Sequence, residues 1–211
     1  MKRCSGTFSR RPGLSKYADM RDDRFSGMRK FLFAFLVGLL FMILFRGSIY
    51  RSVVKYRVIE ERNAVAFNRE AQLSCERAMP DSTSLNDMEG AIAFAHELTA
   101  NRLCYAFTST SNDPSALLLT SNRAHCVGYA GLFSATCNLA LERAGLEGSV
   151  TCKQKVAKLV VFGQDMHALF DSPFFHDHDI CLVTDMRTGE TIALDPTLND
   201  ILSIDRVAFV Q

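Results

Sequence analysis

The chain lacks the local motifs of several common enzyme classes. Its 211 residues contain no G-x-S-x-G motif, no glycine-rich phosphate loop and no H-E-x-x-H motif. Serine hydrolases of that type, nucleotide-binding enzymes and zinc proteases therefore have no support, because each chemistry depends on the geometry that its motif builds. The seven cysteines include no C-x-x-C pair. This absence argues against a zinc knuckle and against a thioredoxin-like site.

The chain also lacks a net charge that would point to a partner. Its formal net charge of +1 at pH 7 gives no argument for nucleic acid or for an acidic substrate. The charge is unevenly distributed, because residues 1–30 hold nine Lys or Arg and three Asp. This segment has no hydrophobic periodicity, so we predict a basic, disordered tail over residues 1–30.

One long apolar run follows the tail. It covers residues 31–45 and is flanked by Lys30 and Arg46. A membrane-spanning helix needs about 20 residues, with about 17 as the lower limit, and an extension to Tyr50 supplies that length. We therefore predict a transmembrane signal-anchor over residues 31–50. The core of a cleaved signal peptide is the alternative, but no small-x-small cleavage site follows the run.

The flanking charges predict the orientation of this anchor. Five Lys or Arg lie between residues 16 and 30, before the run, and four lie between residues 46 and 57, after it. The positive-inside rule then favours a cytoplasmic N-terminus. We expect a single-pass membrane protein whose C-terminal domain is extracytoplasmic.

Hydrophobic periodicity divides the rest of the chain into a stalk and a domain. Residues 51–80 place apolar side chains among alternating charges, and we predict a helical juxtamembrane stalk there. Residues 81–211 form the predicted domain. In it, apolar spacings of three and four precede β-branched segments, so we predict an α+β fold with a helix layer on an antiparallel sheet. The predicted helices are 86–103 and 126–144, and the predicted strands are 155–162, 180–184 and 191–194.

Cys126, His178 and Asp195 stand in an order that suits nucleophilic catalysis. Cys126 begins a predicted helix, and the N-terminus of a helix favours a thiolate and can bind an oxyanion. The other two residues flank a β-hairpin pattern. If the turn is centred on Arg187, paired residues have numbers that sum to about 374. His178 then faces Asp195 or Pro196, as a base faces the carboxylate that orients it.

The motif His-Asp-His-Asp leaves two alternatives open. His176 is a second candidate base, but the same register places it opposite Leu198, beyond a proline, so His178 is preferred. The motif could also bind a metal ion through His176 and His178 on one strand face, with Asp195 recruited as a third ligand. We prefer the triad, and we predict no metal and no cofactor.

Further candidates lie close to Cys126. Asn122 could line the oxyanion site or cap the helix, and capping is the simpler role. Tyr105 and Tyr129 could line the cleft. We expect the other histidines to be surface residues or satisfied polar residues; they are His96, His125 and His167.

The oxidation state of the remaining cysteines depends on the compartment in which the domain lies. In an oxidising space Cys126 must stay a free thiol, and we expect one or two disulfides among the other cysteines of the domain and its approach. Buried free cysteines that pack as small hydrophobic residues are the alternative. The cysteines concerned are Cys75, Cys104, Cys137, Cys152 and Cys181.

The segments that carry the triad resemble the transglutaminase-like superfamily of papain-related Cys-His-Asp enzymes. They are Ser121–Phe133, His178–Asp185 and Ile192–Thr197, and the resemblance covers roughly residues 87–199. It implies a papain-like core in which the nucleophile at a helix N-terminus packs on an antiparallel sheet. It also implies the triad roles given above. The chain departs from the family at His125, where members often carry glycine.

The resemblance implies acyl transfer on amide bonds of a protein or peptide substrate. Water as the acceptor would make the chain a cysteine peptidase or amidase, and an amine would make it a transglutaminase. We favour hydrolysis, because water is always present and no motif for a second substrate is visible. The alternative to an enzyme is a non-catalytic protein-interaction domain of the same fold. His125 and the absence of tryptophan favour this alternative.

Overall fold

The computed structural model describes residues 15–80, 85–170 and 177–210, with side chains from residue 28 onward. The chain divides into two compact units, Met1–Phe45 and Arg46–Gln211. The first unit contains helix α1, Ser15–Leu44. The second contains six further helices and all the strands of the described residues.

Helix α1 differs from the predicted tail. Residues 15–30 are helical, whereas residues 1–14 lie outside the described residues. The large apolar side chains from Phe31 to Phe45 are 47–73% exposed. Among the described residues no helix is by itself long and apolar enough to cross a membrane. Residues 28–44 meet the length and composition only together with the next helix, across a bend.

The second unit begins with helix α2, Arg46–Val53. The Arg46 side chain donates a hydrogen bond to the carbonyl oxygen of Leu202 (2.8 Å), and the hydroxyl groups of Tyr50 and Tyr56 lie 2.7 Å apart. These contacts hold the start of α2 in the folded domain. The structure therefore differs from the predicted extension of an anchor helix to Tyr50, because these polar groups have partners in the domain.

The predicted helical stalk, residues 51–80, instead supplies a strand to the central sheet. Strand β1, Val54–Glu61, begins with alternating buried and exposed side chains, and Tyr56 is only 1% exposed. This period of two is that of a strand with one buried face. Only the end of the segment is helical beyond α2, as helix α3, Arg69–Ala78.

The central sheet is mixed and nearly closed on itself. Its other strands are β4 (Val150–Val161), β5 (Gln164–Asp165), β6 (His178–Asp185), β7 (Thr191–Leu194) and β8 (Ala208–Val210). The strand order is β7-β6-β4-β1-β8, with β5 paired to β4. The β1–β8 pair is parallel and the other pairs are antiparallel, so the sheet differs from the predicted antiparallel one. Leu194 also bridges to Arg206, which brings the β7 edge to the segment before β8.

Two short strands lie outside this sheet, β2 (Cys104–Tyr105) and β3 (Arg123–Ala124), and they pair in parallel. The remaining helices are α4 (Met88–Arg102), α5 (Pro114–Leu119), α6 (Cys126–Arg143) and α7 (Pro196–Leu202). The α+β class is confirmed. The predicted helix at Cys126 and the three predicted strands are confirmed too, although β4 starts five residues earlier than predicted.

Helix α6 packs between α4 and the sheet, and its apolar side chains form the main core with Val183 and Leu194. The opposite face of the sheet carries a second cluster around Tyr56, Ile180 and Leu182. The two clusters bury both faces of β6. This strand therefore holds a fixed position, and its first residue is His178.

Candidate active site

Cys126 occupies the first position of α6 because the residue before it caps the helix. His125 has an extended backbone, and its Nδ1 atom accepts a hydrogen bond from the amide of Val127 (3.2 Å). Burial lowers the pKa of His125, and Arg62 adds to this effect while Asp179 opposes it. A lowered pKa keeps Nδ1 unprotonated near neutral pH, as an acceptor must be.

The cap predicted at Asn122 is wrong, because His125 holds that position. Asn122 is exposed and lies before β3, where its backbone carbonyl accepts a hydrogen bond from the amide of Cys104 (2.7 Å).

The first turn of α6 packs closely against its neighbours at Gly128. A Cβ atom there would lie 2.8 Å from the Cβ of Ala124 and 2.8 Å from the carbonyl oxygen of Ser111. Glycine therefore allows the helix to approach these segments.

His178 and Asp195 meet at the open end of the β6–β7 hairpin, where Nε2 and Oδ2 are 2.8 Å apart. The ladder pairs have numbers that sum to 375, as in Cys181 with Leu194. One further step places Asp195 opposite Ile180, so His178 is the diagonal neighbour of Asp195. The predicted sum of 374 is one lower than the observed sum. His178 and Asp195 nevertheless lie diagonally on one face of the sheet, where long side chains still reach each other.

The Asp195 carboxylate is buried and accepts three hydrogen bonds. Its Oδ2 atom accepts from the Tyr56 hydroxyl (2.7 Å) as well as from His178, and its Oδ1 atom accepts from the amide of Leu198 (3.0 Å), which caps α7. Burial raises the pKa of Asp195, but His178 and these donors outweigh it and lower the pKa. The carboxylate is therefore ionised near neutral pH and can hold one tautomer of His178.

The second nitrogen of His178 remains for Cys126. Because Nε2 faces Asp195, Nδ1 is the other ring atom, and Cys126 and His178 line the same cleft. Burial lowers the pKa of His178, yet Asp195 and Cys126 outweigh it and raise the pKa well above its usual value. The buried carboxylate therefore stabilises the protonated imidazole.

Tyr56 was not recognised from the sequence, because it lies on the segment interpreted as a stalk. Burial raises the pKa of Tyr56 well above its usual value, and Asp195 adds to this effect, so the hydroxyl stays protonated and donates. Tyr50 continues the chain of hydrogen bonds. The signal that could have revealed Tyr56 is the alternation of apolar and charged residues at the start of β1.

We expect Tyr56→Phe to lower the free energy of unfolding by about 1.5–3 kcal/mol, because a buried carboxylate loses a donor. Tyr50→Phe, one hydrogen bond further away, is the matched control. It should cost only about 0.5–1.5 kcal/mol. Urea denaturation followed by circular dichroism measures both values. Equal losses of unfolding free energy in Tyr56→Phe and Tyr50→Phe would contradict the larger contribution expected of Tyr56.

A second buried carboxylate joins β6 to the first turn of α6. Asp179 accepts two hydrogen bonds from Arg62, from Nε (2.5 Å) and Nη2 (2.9 Å), and one from the Gln154 side chain (2.7 Å). The same Gln154 amide nitrogen donates to the carbonyl oxygen of Val127 (3.1 Å). The network therefore connects the strand that carries His178 to the helix that begins with Cys126.

The metal alternative used Asp195 as its third ligand, and this carboxylate is engaged by His178, by Tyr56 and by the amide of Leu198. Over residues 15–80, 85–170 and 177–210, no group of three or more His, Cys, Asp or Glu side chains has the geometry to hold a metal ion. His176, the alternative base and metal ligand, lies outside the described residues. The choice between the two histidines stays a prediction.

A cleft of about 250 Å³ opens at Cys126 and His178. Tyr129, a predicted cleft residue, is not among its lining residues: it is fully buried and donates a hydrogen bond to Asp200 (2.6 Å). Tyr105, the other predicted cleft residue, does line the cleft, and its ring centroid is 6.2 Å from that of Tyr129. The other lining residues are Phe107, Leu159, Met166, His167, Phe170 and Asp177.

A larger cavity of about 400 Å³ lies between residues 64–67 and the middle of α6. No Cys or His is among the described residues that line it, so cavity size alone does not lead to the reactive groups. The side chains that line the smaller cleft do identify the reactive groups. Cys126 and His178 both line it, and both reach solvent there.

The six described cysteines are free thiols. Cys104 is exposed and Cys126 is partly exposed, whereas the other four are buried and pack in the domain. The arrangement agrees with the alternative in which buried cysteines act as small hydrophobic residues. The buried thiols that lie next to one another are Cys137, Cys152 and Cys181, so a disulfide formed by oxidation should join two of them. Mass spectrometry without reductant should then find Cys126 as a free thiol.

His96 is buried, against the expectation of a surface or satisfied histidine, and neither ring nitrogen has a hydrogen-bond partner among the described residues. Burial lowers its pKa to about 4, despite Asp205 and Asp195, and Arg206 adds to the effect.

Between pH 6.5 and 4 the unfolded chain therefore binds more protons at His96 than the folded chain does, so the free energy of unfolding falls as the pH falls. The loss should be on the order of 3 kcal/mol, and His96→Phe should lack it in denaturant titrations at several pH values. Parallel pH profiles of both proteins would contradict this.

The site thus contains a thiol at a helix N-terminus, an imidazole that lines the same cleft and a buried carboxylate bonded to the imidazole. Comparisons of the chain with protein-family models, with curated proteins and with solved structures found no match. The support for a function therefore comes from the geometry of these side chains and from the motif resemblance.

Proposed function

We propose that the chain is a thiol enzyme that transfers acyl groups from amide bonds. Cys126 is the nucleophile, His178 is the general acid and base, and Asp195 orients the imidazole. The observation that carries this proposal is the position of His178, which bonds Asp195 at 2.8 Å and lines the same cleft as Cys126. These are the relations that a cysteine nucleophile requires.

The reaction proceeds in two steps. The Cys126 thiolate attacks the amide carbonyl carbon, and the N-terminus of α6 stabilises the oxyanion that forms. His178 donates its proton to the leaving amine as the C–N bond breaks, which leaves a thioester on the sulfur. His178 then takes a proton from water, which attacks the thioester and releases a carboxylic acid with the free thiol.

The transglutaminase-like, papain-related core is the fold that we infer. Its support is the order of elements: a helix that begins with the cysteine, a strand that begins with the histidine, and a strand that ends before Asp195-Pro196. The nearly closed sheet and the parallel β1–β8 pair are features of this chain that the motifs did not predict.

Isotope labelling tests the reaction and its acceptor together. A mixture of peptide amides is incubated with the protein in H₂¹⁸O that also contains a fluorescent primary amine. We expect carboxylic acid products that carry one ¹⁸O atom, formed by the wild type and not by Cys126→Ala. A fluorescent amide product would identify an amine acceptor, as in a transglutaminase. Turnover no higher than that of Cys126→Ala would support the interaction-domain alternative and contradict the enzyme.

We also propose that residues 31–45 associate the protein with a membrane and that the domain is extracytoplasmic. The support is the row of about half-exposed apolar side chains from Phe31 to Phe45 and the excess of basic residues before them. Protease added to sealed, right-side-out cells should digest the domain and leave the N-terminal segment intact. Protection of residues 60–211 would contradict this orientation.

A further inference from the structure

We propose that the cleft beside Cys126 binds an apolar acyl side chain. Substrates of the proposed reaction would then carry an aliphatic or aromatic side chain on the acyl side of the amide that is cleaved, and not an acidic one. This inference rests on the proposed function, because the acyl carbon must lie at the Cys126 sulfur when the side chain occupies the cleft.

The walls of the cleft are mainly apolar. Tyr105 and Phe107 contribute two aromatic rings whose centroids lie 4.9 Å apart in an edge-to-face arrangement. Leu159 on β4 contributes an aliphatic side chain, and Met166 and Phe170 come from the 3₁₀ turn Met166–Leu169 and the residue after it. Cavities that bind small ligands have this composition, with a few polar groups that fix orientation.

Two of these aromatic side chains are exposed next to the reactive groups. Phe107 is 61% exposed and Phe170 is 45% exposed. Large apolar side chains that cluster at a concave surface mark binding sites, because a ligand that covers them removes apolar area from water. The cleft volume of about 250 Å³ limits the guest to about one side chain.

The charges at the cleft exclude an acidic guest. Asp177 is a carboxylate on the lining, and no Lys or Arg is among the described residues that line it. An acidic side chain would meet the negative charge of Asp177 without a cation of the lining to compensate for it. Of the two histidines on the described lining, His178 is already engaged by the Asp195 carboxylate.

Three alkylating reagents test the inference without any turnover. They are iodoacetamide, its N-(2-phenylethyl) derivative and iodoacetate, and their rates at Cys126 are measured by peptide mapping. Each rate is divided by the rate of the same reagent with N-acetylcysteine, which removes differences of intrinsic reactivity. We expect the phenylethyl reagent to be favoured about tenfold or more over iodoacetamide at Cys126, since burying a phenyl group in an apolar cleft has about that effect. Iodoacetate should be the slowest of the three.

Two phenylalanine variants are the matched pair. Phe107→Ala should reduce the phenylethyl preference several-fold, and it should fold normally because the side chain is exposed. Phe162→Ala removes a side chain that is 81% exposed and lies outside the cleft lining, so it should leave the preference unchanged.

The outcomes separate the two proposals. If Cys126 reacts rapidly with iodoacetamide but shows no phenylethyl preference, the apolar site is wrong and the nucleophile stands. Equal effects of Phe107→Ala and Phe162→Ala would likewise overturn the apolar site. If Cys126 reacts with iodoacetamide no faster than N-acetylcysteine, the nucleophile fails, and the substrate inference fails with it.

Discussion

His178→Ala should lower turnover of an amide substrate by about 10²–10⁴-fold, the usual effect of removing a general base. The variant loses both the proton acceptor for the second step and the imidazolium beside the Cys126 sulfur. Alkylation of Cys126 by iodoacetamide should slow as well, so the loss is visible even before a substrate is found. His176→Ala, two residues earlier, should change both rates little.

Asp195→Asn tests the orienting role separately. The amide can no longer balance the imidazolium, and its NH₂ group can face Nε2, which favours the wrong tautomer of His178. Much of the activity should be lost while the fold remains. Asp200→Asn is the matched control, because this carboxylate lies on α7, the helix that Asp195 caps, but is engaged by Tyr129. A dead His176→Ala variant together with an active His178→Ala variant would contradict the assignment of the base.

Arg62→Ala should lower the free energy of unfolding by about 3–5 kcal/mol, because it leaves a buried carboxylate without its ionic partner. Asp179 is fully buried, and Arg62 binds both of its oxygen atoms. The matched control is Arg57→Ala, which removes an arginine of β1 that is paired with Asp165 at the surface. That pair should contribute at most about 1 kcal/mol.

A double variant identifies the cause of this loss. If the buried charge is responsible, Arg62→Ala combined with Asp179→Asn should be more stable than Arg62→Ala alone, because the neutral amide is cheaper to bury. Guanidinium titrations of the three proteins measure this directly. A loss in Arg62→Ala no larger than that in Arg57→Ala would show that the network does not hold β6 against α6.

The elements that carry the triad were predictable because each has a strong local signal. Helix α6 has apolar side chains at spacings of three and four, and Gly145, with φ +71°, ends it in the left-handed conformation that glycine tolerates. The β6–β7 hairpin has β-branched strands on either side of a turn that ends in Gly189. Local periodicity and turn chemistry are the properties that sequence patterns report well.

The partners of the two buried carboxylates were not predictable in the same way. Tyr56 and Arg62 both belong to β1 or its end, and they reach Asp195 and Asp179 across more than a hundred residues of sequence. The alternation of apolar and charged residues at the start of β1 covers only Val54 to Val58, and a long-range contact leaves no local mark. The cap at His125 was missed because histidine is not among the usual capping residues.

The most direct measurement compares the alkylation rates of Cys126 and Cys104 in one sample at near-neutral pH. Cys104 is exposed and Cys126 is only partly exposed, so accessibility alone would make Cys104 the faster thiol. If Cys126 is the activated nucleophile, peptide mapping after brief treatment with iodoacetamide should find it modified first, and His178→Ala should reverse the order. If Cys104 reacts first in the wild-type protein, and His178→Ala changes nothing, the triad does not activate this thiol and the proposed function is contradicted.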